Sequence, residues 1–178
     1  MPRLLLLRHA KSSWADASLA DRDRPLSPRG RHAAALMAAE IERRGLHPDR
    51  ILCSPAKRAR ETLAALLPHL GDEARIAITA SLYEPSSGDY CAIIAGRGAD
   101  ARTLLVIGHN PVIQATALLL AAGPAKVKAE LAAKLPTGAL VVIDFPLAAW
   151  ADLSPETGRI ALFLTPADLE LGAEEVED

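Results

Sequence analysis

The chain has 178 residues, of which 50% are hydrophobic and 24% charged, and its formal net charge is −2 at pH 7. This length suits one domain with a sizeable core and is short for two domains. The near-neutral charge gives no overall attraction to nucleic acid, and an aromatic content of 3% leaves few rings on which bases could stack. We therefore expect a globular protein that does not bind nucleic acid.

Cysteine usage and hydropathy indicate the compartment. The two cysteines, Cys53 and Cys91, are too few for a disulfide framework and are not spaced as the ligands of a metal knuckle. The apolar run near the N-terminus is too short for a signal peptide, and no stretch approaches the length of a membrane span. These features predict a cytoplasmic protein that does not associate with a membrane.

Apolar runs alternate with amphipathic segments along the chain. Ser27 and Pro28 form a helix start, because serine caps a helix N-terminus and proline fits its first turn, and Gly45 ends that helix. The predicted strands are 4–7, 50–53, 75–79, 103–107, 139–145 and 160–164. The predicted helices are 28–44, 55–67, 88–95, 112–122 and 129–135, and 10–25 is predicted to be a long polar loop.

This alternation is typical of a three-layer α/β fold, with helices on both faces of a mainly parallel sheet. We expect one domain over residues 1–170 and a frayed acidic tail over 171–178. In such folds ligands bind at the carboxyl ends of the strands. Residues that directly follow a predicted strand are therefore candidate functional residues.

Two of the five histidines meet this condition. His9 follows the strand 4–7 after one arginine, and His109 follows the strand 103–107 after one glycine. His32, His47 and His69 lie within a helix, in a loop and at a helix end, so we expect them to be solvated or to cap a helix. His9 and His109 are the candidates for chemistry.

Arginines accompany both strand-end histidines. Arg8 precedes His9, and Arg58 lies one turn into the helix that follows the strand 50–53. Guanidinium groups and helix N-termini both bind anions, and a neutral imidazole can attack phosphorus. Together with His109 these residues predict a phosphoryl-transfer site that needs no metal. The alternative for the basic residues around Arg58 is a solvated helix face.

Three motifs resemble those of the histidine phosphatase superfamily, which includes the cofactor-dependent phosphoglycerate mutases: LRHA at 7–10, SPAKRARET at 54–62 and GHNP at 108–111. The segment DRDRPLSPRG at 21–30 is most similar to SixA-type phosphohistidine phosphatases. The resemblance implies a phosphoglycerate mutase-like fold. It also implies that His9 becomes phosphorylated, that Arg8 and Arg58 bind the phosphoryl group and that His109 stabilises its developing charge.

The same resemblance implies that Arg24 and Asn110 contact the phosphate or substrate and that no cofactor is required. It makes Glu84 a candidate general acid, the alternative being a surface carboxylate. A histidine leaving group can depart protonated on its other nitrogen, so it needs such an acid less than an alkoxide does. Ala10 stands where many members of the superfamily have glycine.

The sequence therefore predicts a phosphatase with a phosphohistidine protein as its partner and substrate. The alternatives are a small-molecule phosphomonoesterase or mutase of the same superfamily, and a non-catalytic phosphoprotein-binding module. A cysteine phosphatase is excluded because Ala59 occupies the position, relative to Cys53, where that chemistry needs arginine. Asp21 follows no apolar strand, so an aspartyl phosphatase is also disfavoured.

Overall fold

The computed structural model describes residues 1–85, 88–123 and 125–174, with side chains up to Leu171. The strands are β1 Arg3–Arg8, β2 Arg50–Cys53, β3 Arg75–Ile78, β4 Thr103–Gly108, β5 Ala121–Ala122, β6 Leu140–Asp144 and β7 Gly158–Leu164. The helices are α1 Pro28–Arg43, α2 Lys57–Leu66, α3 Cys91–Arg97, α4 Val112–Leu120, α5 Ala125–Ala133 and α6 Pro166–Glu174. None of the helices in these ranges has the length and hydropathy needed to cross a bilayer.

The seven strands form one sheet in the order β3-β2-β4-β1-β6-β7-β5. Strands β3, β2, β4 and β1 pair in parallel, whereas β6 runs antiparallel to both of its neighbours. Parallel pairing brings the carboxyl ends of β1, β2 and β4 to one edge of the sheet. The predicted three-layer α/β fold with a mainly parallel sheet is confirmed.

The four leucines of β1 connect the two layers of the core. Leu4 and Leu6 pack in the cluster that includes α3, α4 and α5, whereas Leu5 and Leu7 pack in the cluster that includes α1 and α2. All four are fully buried. A strand covered on both faces needs apolar residues at every position, which explains the unbroken run before Arg8.

The start of α1 is fixed by a cap and by a close backbone approach. The Ser27 Oγ accepts a hydrogen bond of 3.0 Å from the Gly30 N–H, as the sequence predicts. A Cβ on Gly30 would overlap the carbonyl oxygen of Lys11, so this position has room only for glycine. The N-terminus of α1 consequently lies directly against the loop that follows His9.

Several predicted boundaries were wrong. The helix predicted to begin at Pro55, with Ser54 as its cap, begins at Lys57, because Ala56 is its N-cap residue and the Ser54 side chain has other partners. The helix predicted over 112–122 ends at Leu120, and the next two residues form β5 beside β7.

The sequence did not predict α6. Leu169 of this helix packs against the α1–α2 side of the core, so the fold continues close to the end of the chain. Of the acidic tail predicted over 171–178, residues 171–174 belong to α6, and residues 175–178 lie outside the described residues.

The first prediction concerns the central strand. We expect Leu6→Ala to lower the free energy of unfolding by about 2–5 kcal/mol, because it leaves a cavity in a core that has no solvent access. The matched control is Leu171→Ala, whose side chain is 64% exposed, with an expected change within about 0.5 kcal/mol. Denaturant unfolding measures both, and equal losses would contradict the role of β1 as the buried centre of the sheet.

Candidate active site

Four residues from three strand ends come together at the carboxyl edge of the sheet. The ring centroids of His9 and His109 are 4.9 Å apart, and the Arg58 guanidinium lies against both rings. The Arg58 Nε–H donates to His9 Nε2 at 3.2 Å, and Arg58 Nη2 is 3.5 Å from His109 Nδ1. Arg8 immediately precedes His9 and lines the same cavity. The predicted grouping of these residues is therefore observed.

The hydrogen bonds of His9 define its tautomer. Its Nδ1 lies 2.7 Å from the Ala10 carbonyl oxygen, which can only accept, so Nδ1 carries the proton. The Nε2 lone pair then faces the Nε–H of Arg58. Burial lowers the pKa of His9 to about 3, and the nearby charges of Arg58 and Arg8 act in the same direction. At neutral pH His9 is thus a neutral imidazole with its lone pair on Nε2.

His109 is also neutral in the free protein. Its Nε2 lies 2.7 Å from Ser54 Oγ, and its backbone N–H donates to the Tyr90 hydroxyl at 3.2 Å. Burial, together with the charge of Arg58, lowers the pKa of His109 to about 4, although Asp21 opposes the shift. Ser54 therefore orients His109, which the sequence analysis did not anticipate.

Arg8 is held by the segment between α5 and β6. Its Nη1 donates to the Leu135 carbonyl at 2.7 Å, and the Gly138 N–H lies 3.1 Å from the carbonyl oxygens of Arg8 and His9. The Arg8 Nε is buried and has no hydrogen-bond partner among the described residues. Residues 135–138 thus form one wall of the site, and a loop wall of this kind has no periodic sequence signal.

Arg24 is part of the loop that covers the site. It is 6% exposed, and it donates to the Ser13 carbonyl at 3.1 Å and to Ser12 Oγ at 2.5 Å. Its guanidinium also stacks on the Trp14 ring, with 3.1 Å between Cζ and the ring centroid. Arg24 lines the cavity that contains His9, and its contact with a phosphate stays a prediction.

The sequence analysis missed the role of Asp21. Its carboxylate accepts three hydrogen bonds, each of 2.9 Å, from Arg58 Nη2, the Tyr83 hydroxyl and Arg24 Nη1. Burial alone would raise the pKa of Asp21, but the hydrogen bonds from Arg58 and Tyr83 produce a net lowering. The only sequence signal for this role is the three-residue spacing between Asp21 and Arg24, which suits an ion pair. This spacing is informative only once the structure shows that Arg24 lies at the site.

The remaining predicted residues occupy the periphery. Asn110 Nδ2 donates to Gln114 Oε1 at 2.9 Å and to the Leu135 carbonyl at 3.2 Å, so Asn110 supports the wall that holds Arg8. Glu84 is exposed and does not line the cavity around His9. Its neighbour Tyr83 does reach the site: the Tyr83 ring packs edge-on against the His109 ring, with 5.6 Å between the ring centroids.

A cavity of about 800 Å³ opens on His9 and is lined by Arg8, Arg24 and Arg58. Across the ranges that the structure describes, no group of three His, Cys, Asp or Glu side chains is arranged to hold a metal ion. His32, His47 and His69 do not line this cavity. Chemically, the cavity combines a neutral imidazole with arginine donors, an arrangement that can bind an oxyanion and attack its central atom.

Residues 4–96 match the model of the histidine phosphatase superfamily (branch 1). The chain belongs to this superfamily. The match includes Arg8, His9, Arg24 and Arg58 and ends before His109, which the geometry brings to the same site. An uncharacterised protein of Mycobacterium tuberculosis is 36% identical over 163 residues, which cover 90% of this chain and 99% of that protein.

Two solved structures of superfamily proteins assigned as the phosphohistidine phosphatase SixA have the same fold. The protein from Agrobacterium tumefaciens is 32% identical, with a TM-score of 0.77 over 92% of this chain and 97% of that chain. The protein from Nakamurella multipartitia is 34% identical, with a TM-score of 0.77 over 93% of this chain and 96% of that chain. The chain is thus a SixA-type member with a phosphoglycerate mutase-like fold.

The second prediction concerns the two histidines of this superfamily site. In NMR spectra of protein with ¹⁵N-labelled histidine, we expect His9 as the Nδ1–H tautomer, neutral at pH 7, with a protonation midpoint of about 3. For His109 the expected midpoint is about 4. Because folding lowers the pKa of His9 from 6.5, the free energy of unfolding should fall as pH falls below 6.5 towards 3. A His9 midpoint near 6.5 would contradict this environment.

Proposed function

We propose that the protein hydrolyses phosphohistidine on a protein substrate through a phosphoenzyme formed at His9. The observation that carries the proposal is the neutral Nε2 of His9, whose lone pair lies among arginine donors at the floor of an open cavity. A phosphoryl group needs this combination, because the lone pair attacks phosphorus while the guanidinium groups neutralise its oxygens.

Substrate binding changes the partners of Arg58. In the free protein the Arg58 Nε–H occupies the His9 lone pair, so this hydrogen bond moves to a phosphoryl oxygen before attack. Arg8 lines the same cavity, and the Leu135 carbonyl holds its Nη1, so its guanidinium adds positive charge beside the bound phosphoryl group. The positive charges of the two guanidinium groups favour a bound oxyanion over an empty site.

In the transfer step, the Nε2 lone pair of His9 forms a bond to phosphorus as the bond from phosphorus to the substrate nitrogen breaks. The electron pair of the broken bond returns to that nitrogen, and the substrate histidine departs as neutral imidazole because its other nitrogen keeps its proton. Water then attacks phosphorus, the pair of the His9–phosphorus bond returns to Nε2, and the water proton leaves with the phosphate or to solvent.

His109 is placed to respond to the charge of the phosphoryl group. Its pKa of about 4 in the free protein reflects burial and the positive charge of Arg58. A phosphoryl dianion beside the ring favours the protonated form and raises this pKa. His109 can therefore gain a proton when substrate binds and stabilise the charge that develops on the phosphoryl oxygens.

The carboxylates favour a phosphoramidate over an ester as substrate. An alkoxide leaving group needs an acid, but Glu84 is exposed and takes part in none of the side-chain hydrogen bonds of His9, Arg58 and His109. Asp21 contacts Arg58, yet its lowered pKa keeps it ionised at neutral pH, so it is a poor proton donor. An imidazole leaving group does not need either residue.

The third prediction tests the nucleophile. Incubation with a ³²P-labelled phosphohistidine protein should give an acid-labile, base-stable label on the wild type and none on His9→Ala, whose kcat should fall by at least about 10³-fold. His32→Ala is the matched control, because His32 also follows an arginine but is exposed on α1. Wild-type rates in His9→Ala would overturn the mechanism.

Phosphatase assays on several classes of substrate, with and without a metal chelator, distinguish a phosphohistidine phosphatase from a small-molecule phosphomonoesterase and from a metal-dependent enzyme. We expect kcat/KM for phosphohistidine to exceed that for phosphoserine peptides and small phosphate esters, with no effect of the chelator. A preference of orders of magnitude for a small ester would refute the protein substrate, and loss of activity with the chelator would refute the metal-independent mechanism.

The fourth prediction concerns Asp21, whose carboxylate and carbonyl occupy two nitrogens of Arg58. We expect Asp21→Asn to bind inorganic phosphate roughly threefold to tenfold more tightly, because a competing anion is removed. Asp23→Asn, an exposed residue of the same short turn, should bind phosphate as the wild type does. Calorimetric titration measures all three proteins. Weaker binding in Asp21→Asn would mean that this carboxylate mainly positions Arg58.

A further inference from the structure

The cavity that opens on His9 has a second group of positive charges outside the phosphoryl site. Lys11, Arg29 and Lys134 line it, and all three are exposed. Their side chains make no ion pair with any described residue, whereas Arg43 and Arg44 of α1 both pair with Glu40. Glu170 is the one carboxylate among the described lining residues. This set of three cations is called the rim below.

The backbone of the rim is fixed relative to His9. The Lys11 carbonyl accepts from both the backbone N–H and the Oγ of Ser27, and the missing side chain of Gly30 allows α1 to lie against it. The backbones of Lys11 and Arg29 are therefore held in a fixed position relative to each other.

Lys134 precedes Leu135, whose carbonyl accepts from both Arg8 and Asn110. The three cations are consequently carried by three separate segments, all anchored to the phosphoryl site.

The size and charge of the cavity indicate which kind of group would bind to the rim. A cavity of about 800 Å³ is in the range of sites that enclose a whole small ligand, so a phosphoryl group and one imidazole leave part of it unfilled. Unpaired cations around an opening attract anionic groups and repel cationic ones. Because the rim side chains are exposed and lie on separate segments, they suit contact with a surface rather than enclosure of a small anion.

We propose that the rim of Lys11, Arg29 and Lys134 binds carboxylate side chains that flank the phosphohistidine on an acidic surface of the substrate protein. This inference rests on the proposed function, since it describes the part of the substrate beyond the phosphohistidine ring. The rim selects among phosphohistidine proteins by the charge around the phosphorylated residue, whereas His9 and the arginines recognise the phosphoryl group itself.

The fifth prediction compares two phosphohistidine peptides of equal length, one with glutamate and one with glutamine at the flanking positions. For the wild type, kcat/KM should be about tenfold higher for the glutamate peptide at low salt, and the ratio should fall as salt is added. In the triple variant Lys11→Gln, Arg29→Gln, Lys134→Gln the ratio should fall to about one.

The matched control has the same net charge. The triple variant Arg97→Gln, Arg102→Gln, Lys126→Gln removes three exposed cations that do not line the cavity, and it should keep the wild-type ratio. Equal kcat/KM for the two peptides in the wild type, or a preference retained by the rim variant, would overturn the proposal.

Trp14 gives a readout that does not depend on catalysis. It lines the cavity and is 77% exposed, whereas Trp150 is buried, so a fluorescence change on peptide binding reports the cavity. The unphosphorylated glutamate peptide should change the Trp14 signal in the wild type but not in the rim variant. If no phosphatase activity is found while this difference persists, the proposed function fails and only the binding of carboxylate side chains by the rim remains. Identical binding by both proteins would overturn the rim proposal.

Discussion

The arrangement of the site depends on the guanidinium of Arg58. It contacts the His9 ring, the Asp21 carboxylate and the edge of His109, so it connects the ends of two strands to the covering loop. Its own position is fixed from α2. The Thr62 hydroxyl donates to the Arg58 carbonyl at 2.7 Å and accepts from the Ala10 N–H at 3.0 Å. The Thr62 side chain thereby holds both the first turn of α2 and Ala10, the residue after His9.

This arrangement keeps two imidazoles neutral beside positively charged groups. Burial and the charges of Arg58 and Arg8 lower the pKa of both histidines, so neither competes with the arginines for an anion in the free protein. The unsatisfied Arg8 Nε is a cost in the free state, since buried donors are normally paired. The buried leucines of β1, just before Arg8, stabilise the strand that positions this donor.

The parts of the site that the residue pattern alone predicted are attached to regular elements, whereas Arg24, which lies in a loop, was predicted only from the family resemblance. Arg8, His9, Arg58 and His109 follow or begin elements with clear apolar periodicity, and the geometry of a parallel sheet brings such residues to one edge. Asp21 and Tyr83 contact the site from short turns, where no repeating pattern indicates the direction of a side chain. Ser54 illustrates a further difficulty, because its position before Pro55 predicted a helix cap, whereas its hydroxyl contacts His109.

The close backbone approach at Gly30 fixes the shape of the cavity but does not fix the charges at its opening. Because the backbone contact between α1 and Lys11 involves no side chain at residue 30, this position cannot accept another amino acid without displacing the loop after His9. The exposed side chains of Lys11 and Arg29 on either side of the contact face no such restriction. A lineage could therefore change the charge at the opening of the cavity by single substitutions, while His9 stays in place.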